Sequence, residues 1–209
     1  MIIHFFGNQF FKFQVGDTVV ATDPFGKDSS HKGPKFGADI VLQSTLHEDM
    51  KGGDDLTYGN KTPHVIKGPG EYEVSGTFIK GYGTYSNYDG IDSDAGTTYY
   101  VFELDGMRIL FLGAAGGEKK NIHIEGDIDI LCVPISGDGR LTPKQASDIV
   151  TNIDPKIVIP MGIMKTTDEH LAAFIKEIGA DAKTEVQEKL TLKKKDIESL
   201  TQKLYIIQS

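Results

Sequence analysis

The segment Thr45-Leu46-His47-Glu48-Asp49-Met50 places an imidazole and a carboxylate, His47 and Asp49, close together in one short stretch. Both are ordinary zinc ligands, but a zinc site takes three or four protein donors, so the pair alone is a fragment that holds metal weakly. The other histidines (His4, His31, His64, His123 and His170) show no ligand spacing to one another and read as surface or strand residues. A rebuilt metal site would have to recruit His64 or His123 to His47 and Asp49. Ser44 and Thr45 lack the partners of a catalytic nucleophile, and no Gly-x-Ser-x-Gly elbow is present. Gly113, Gly116 and Gly117 do not have the spacing of a phosphate-binding loop. Oxygen donors crowd the stretch from Asn87 to Asp94, yet its spacing departs from the EF-hand pattern and the closing Glu is missing. It reads as a solvated loop. Asp23, ahead of Pro24, is of the kind that bonds to neighbouring loop backbone.

Short β-rich runs must carry these residues. Ile2 to Phe6, Phe10 to Val15 and Thr18 to Thr22 read as strands divided by Gly7-Asn8 and Gly16-Asp17. Ala38 to Leu42 is apolar throughout apart from Asp39, as a strand buried on both faces would be. Val65-Ile66, Tyr72 to Val74 and Thr77 to Lys80 follow, and Asp105-Gly106 joins Thr98–Leu104 to Met107–Leu112 as a hairpin. The longest irregular piece is Tyr82 to Gly96. Ile128 to Val133 and Lys156 to Ile159 are further buried strands, with a helix between them that opens on Thr142 and Pro143. Thr166 and Glu169 predict a capping box for a second helix that Gly179 ends. The tail reads as strands Lys189 to Lys193 and Lys203 to Ile207, with Lys193 to Lys195 on a solvated strand edge. Asp39-Ile-Val-Leu-Gln-Ser44 and Asp129-Ile-Leu-Cys-Val-Pro134 echo each other, each a buried strand running into a polar loop. In α/β sheets ligands gather at the carboxyl ends of such strands, which directs attention to the segments after Leu42, Leu112, Val133 and Ile159.

The 209 residues suit one α/β domain spanning the whole chain, with no Pro-, Gly- or Ser-rich linker. Lys and Arg number 22 against 30 for Asp and Glu, a net charge of -8 that argues against a general nucleic-acid binder. The single Cys132 excludes an intramolecular disulfide. No apolar run approaches the roughly 20 residues that span a bilayer, and Met1 to Phe13 has no basic leader, so a cytoplasmic protein without a membrane partner is expected.

Several segments taken in order resemble the metallo-β-lactamase-fold superfamily, in particular its small Zn-dependent hydrolases. They are the opening strands with Gly7, Asp23-Pro24-Phe25, the Ala38-Asp-Ile-Val-Leu strand and Gly68-Pro-Gly-Glu-Tyr-Glu-Val74. Asp127 to Gly137 and Asp154-Pro-Lys-Ile-Val-Ile-Pro-Met161 complete the set. The resemblance implies a four-layer αββα sandwich with metals held by loops at one edge of two sheets, and Asp23 on the floor of that site. It also implies a ligand signature, His-x-His-x-Asp-His, which falls on Thr45 to Met50. His47 and Asp49 match it, while Thr45 and Met50 replace its first and last histidines. A further loop His falls at Ser86, the bridging Asp at Ala114 and the last His at Gly162, so two of seven ligand positions remain.

Thr45, Ser86, Ala114 and Gly162 offer no strong ligand, and the Met50 thioether suits copper(I) better than zinc. Without a bridging carboxylate, two metals cannot be held about 3.5–4 Å apart to activate water. The centre would keep Asp49 and no cation, a net charge of about -1 that gives an anionic substrate no attraction. The expectation is a pseudoenzyme with a degenerate metal site and no cofactor, retained as a scaffold, binding module or homo-oligomer component. The alternative is a divergent zinc-dependent hydrolase of esters, lactones or phosphoesters that uses His47 and Asp49 with recruited ligands. The Tyr82 to Tyr88 segment is the candidate contact surface.

Overall fold

A computed structural model describes residues 1–53, 56–90, 96–117, 122–180 and 184–209. The first sheet begins with β1 (Ile2–Phe5), β2 (Phe11–Val15) and β3 (Thr18–Thr22), an antiparallel meander. The chain then crosses to β4 (Ile40–Leu42) and β5 (His64–Ile66), which run parallel to β3. The second sheet has the antiparallel β6 (Gly70–Val74), β7 (Thr77–Thr84), β8 (Thr97–Leu104) and β9 (Met107–Phe111). It continues with the parallel β10 (Ile130–Pro134) and β11 (Ile157–Met161). Of the remaining short strands, β12 (Val186–Gln187) pairs with β15 (Ile206–Ile207), β13 (Leu190–Thr191) joins β1, and β14 (Lys203–Leu204) joins β11. The result is a mixed α/β sandwich with few helices.

Period-2 alternation sorts the side chains between faces. Phe11 and Phe13 of β2 point into the sandwich, where Phe13 meets Phe102 of the other sheet edge-on at 5.4 Å. Val20, Ile40 and Leu42 share that core. Val19, Ala21 and Val41 form a separate cluster on the opposite face, covered by Phe25, Phe36 and Leu56 from irregular segments. α1 (Pro143–Ile153) packs on β10 and on α2 (Glu169–Glu177), with Ala146, Ile149 and Val150 buried.

The echoed aspartates occupy equivalent places at the starts of β4 and β10. Asp39 N–H donates to Val19 O, and its carboxylate accepts from Val19 N at 2.7 Å. Asp129 repeats both bonds with Arg108, accepting from its N–H at 2.9 Å. The carbonyls of Asp39 and Asp129 accept from His64 and Ile157, the first residues of the next strands. Each sheet therefore contains the same strand-to-strand clasp, at the edge away from the loops that follow β4 and β10.

α1 has the expected Thr142 cap, and the Gln145 side chain returns the bond to complete a capping box that was not expected there. α2 differs from expectation: its N-cap is Asp168, whose carboxylate accepts from His170 N–H at 2.9 Å, and not Thr166. Asp is the stronger cap where both compete within one turn. β7 runs four residues past Lys80 to Thr84, because its alternation continues through Gly81 and Gly83, which carry no side chain to reveal it. Lys193 to Lys195 are not a strand edge. Lys193 occupies the position before α3 (Lys194–Ile197) without a side-chain capping bond, and Lys194 reaches Asp129 at 2.6 Å. Positions 91–94 of the oxygen-rich stretch lie outside the described residues.

Candidate functional site

Loops at the carboxyl ends of β4, β9, β10 and β11 converge on one edge of the sandwich. Asp23, wholly buried and at φ 40°, sits below them. Its two oxygens accept from Ser44 N–H and Ser44 Oγ–H, each at 2.6 Å. Burial pushes the Asp23 carboxyl up to about 8, against the hydrogen bonds from Ser44 and the positive charge of Arg140. Ser44 Oγ also accepts from Ala114 N–H at 3.3 Å and lies 3.8 Å from Sδ of the fully buried Met50.

Above this floor stand His47 and Asp49. Asp49 N–H donates to His47 Nδ1 at 3.2 Å, so the imidazole proton belongs on Nε2, which lies 3.1 Å from Asp89 Oδ2. The Asp49 carboxylate accepts from Ser29 Oγ–H at 2.6 Å on one oxygen and from Tyr88 O–H at 2.9 Å on the other. Burial alone would raise its pKa, but these two bonds and the neighbouring His47 and His31 hold it below the usual carboxylate range. The Tyr88 phenol is driven up by burial and by its bond to Asp49. Leu46, His47, Lys67 and Thr98 line an open cavity of about 690 Å³ on the outer side.

Arg140 completes the group. Its guanidinium lies 4.4 Å from the centre of the Tyr88 ring and forks onto Asp138, with Nε at 2.8 Å from Oδ1 and Nη2 at 2.6 Å from Oδ2. It donates further to Asn8 Oδ1 and to Gly162 O, the latter at 3.2 Å. Only 4% of Arg140 is exposed. Burial opposes ionisation of Asp138, but Arg140 and the Ser136 hydroxyl hold its pKa down. Among the described residues, no group of three or more His, Cys, Asp or Glu side chains is placed to hold a metal ion.

Residues 2–162 match the family described as the Beta-lactamase superfamily domain. The chain belongs to the β-lactamase superfamily. One curated relative, a UPF0173 metal-dependent hydrolase of Thermococcus onnurineus, is 27% identical and aligns with 76% of this chain and 83% of its own. A Thermotoga maritima structure assigned as a Zn-dependent hydrolase of the metallo-β-lactamase superfamily has 25% identity and a TM-score of 0.71, covering 99% of this chain and 98% of that one. A metal-dependent hydrolase assignment from Parabacteroides distasonis superposes with a TM-score of 0.62 at 22% identity, over 86% and 90% of the two chains. The β-lactamase fold of this chain is thus established.

The positions singled out by resemblance lie on loops linked through Ser44, Tyr88 and Arg140. Ser86 is buried, with its hydroxyl accepting from Tyr88 N–H at 3.2 Å. Ala114 bonds to Ser44, and Gly162 N–H donates to Asn8 O at 2.5 Å. Thr45 is buried at the wall of the cavity. His64 and His123 join neither His47 nor Asp49: His64 is exposed on β5 and His123 N–H donates to the Tyr99 hydroxyl at 3.0 Å. Sequence reading passed over Arg140, which brings a positive charge to the centre together with its partner Asp138. Its one signal was position: it lies in the polar loop after β10, flanked by Gly139.

Proposed function

We propose that this chain is a metal-independent member of its superfamily, without the di-metal centre or its hydrolytic chemistry, retained as a binding or scaffold protein. The observation that carries this reading is the state of the two matching donors. Both oxygens of Asp49 are taken by hydroxyl groups, and both ring nitrogens of His47 are engaged by Asp49 N–H and Asp89. A metal would have to break these bonds and would gain no donor from Thr45, Ser86, Ala114 or Gly162. Met50 turns its thioether into the core toward Ser44. The donor set therefore does not fit the zinc pair that the family implies. The cavity beside His47 is the natural place for a small ligand.

Metal analysis of protein purified without chelator, with an ester, lactone and phosphoester screen in added metals, tests this. We expect zinc, iron and manganese far below one per chain and no turnover. Near-stoichiometric metal that is lost with activity in His47→Ala overturns the reading in favour of a divergent hydrolase.

A further inference from the structure

Glycines let the loops around Arg140 close to contact. A Cβ on Gly139 would lie 2.2 Å from the Asn87 carbonyl, and one on Gly116 would lie 2.4 Å from Arg140 Cα. A Cβ at Gly162 would sit 3.1 Å from Ser136 Oγ and in ordinary contact, at 3.5 Å, with Arg140 Cζ. The Arg140 guanidinium thus lies beside position 162. Besides Asp138 in its own loop, its partners come from three other segments: Asn8, Tyr88 and Gly162. Through Tyr88 it is linked to Asp49, and its charge also acts on buried Asp23. Asp49 and Asp138, both favoured in the ionised form, would otherwise put two negative charges on one loop edge.

We infer that Arg140 is a permanent internal cation that takes over the organising role of a bound metal, holding the segments of Asn8, Tyr88 and Gly162, and through Tyr88 that of Asp49, onto its own loop. This rests on the metal-independent reading above. A guanidinium suits the task because it stays protonated at any physiological pH and presents five N–H donors in a fixed plane. Unlike a metal it cannot dissociate, so the loop edge holds its shape at any metal concentration or in chelator. Arg140 is here a positioning residue.

The test is chemical rescue of Arg140→Ala. Removing a buried guanidinium together with its hydrogen bonds to Asn8, Asp138 and Gly162 is strongly destabilising, so a fall in Tm on the order of 10 °C is expected. Guanidinium at a few tens of millimolar should restore much of that loss, while urea, planar and of the same size but neutral, should not. Wild-type protein should show no upward shift with either. Rescue by both or by neither overturns the inference, since loss of packing alone would not distinguish charge. If Arg140→Ala yields no folded protein, Arg140→Lys and Arg140→Met decide: Lys must retain the higher Tm, and equality or the reverse order overturns the inference. Metal content of the wild type is measured alongside. A metal-free protein with no charge-dependent rescue sinks only the role of Arg140, whereas stoichiometric metal in the wild type sinks the reading beneath it.

Discussion

Asp23→Asn removes a titrating group from the floor of the site while keeping its shape. Asn tolerates the left-handed backbone at φ 40° and can still accept from Ser44 N–H while donating to Ser44 Oγ. Asp23 has its pKa raised from 3.8 to about 8 by burial, so between those values the folded protein holds a proton that the unfolded chain has lost. Stability from this group is therefore fully present below pH 4 and is lost as pH rises toward 8. At about 1.4 kcal/mol per pH unit, with saturation near the folded pKa, the loss between pH 5 and pH 8 is about 3.5 kcal/mol. At roughly 2–4 °C per kcal/mol for a chain of this size, that is about 10 °C in Tm. The assay is thermal unfolding of wild type and variant across that range, read as the difference between the two curves. Subtraction cancels His4, whose pKa is lowered by burial and by Lys12 and Lys189, so that it adds stability as pH rises through its range. Parallel curves, or a wild type that gains on the variant from pH 5 to pH 8, would refute the burial argument.

Asp129→Ala removes the acceptor for Arg108 N–H, Lys156 and Lys194 and should cost about 2–4 kcal/mol by denaturant unfolding. Gly113→Ala places a Cβ 2.3 Å from Ser44 Cβ at φ +52°, and a loss of at least about 2 kcal/mol is expected in the same measurement. Tyr88→Phe removes the hydroxyl from Asp49 and should cost about 1 kcal/mol while raising the Asp49 pKa, read by carboxylate NMR titration. Cys132, fully buried and with its thiol pushed up by burial, should resist thiol reagents until the protein unfolds.

What the sequence disclosed was whatever is local. The α1 cap was legible because Thr142 and Pro143 act within one turn. The buried character of β10 was legible because Ile130 to Val133 are apolar without a break. The α2 cap was misplaced because Thr166 and Asp168 are both credible caps and only geometry chooses between them. The role of Lys194 depends on Asp129, 65 positions away, and that of Arg140 on Asn8, 132 positions away. No spacing rule connects such pairs. His47 and Asp49 were found readily, but not that Ser29, Tyr88 and Asp89 would satisfy them.

The paired Asp39 and Asp129 clasps bear on how such a chain can change over time. They fasten successive strands at the amino-terminal ends of β4 and β10, whereas the chemistry-bearing loops hang from the opposite ends. Substitutions in those loops leave the clasps untouched, so drift at one rim need not loosen the frame at the other. A scaffold divided in this way can lose an old reaction and go on being made, folded and available for a different use.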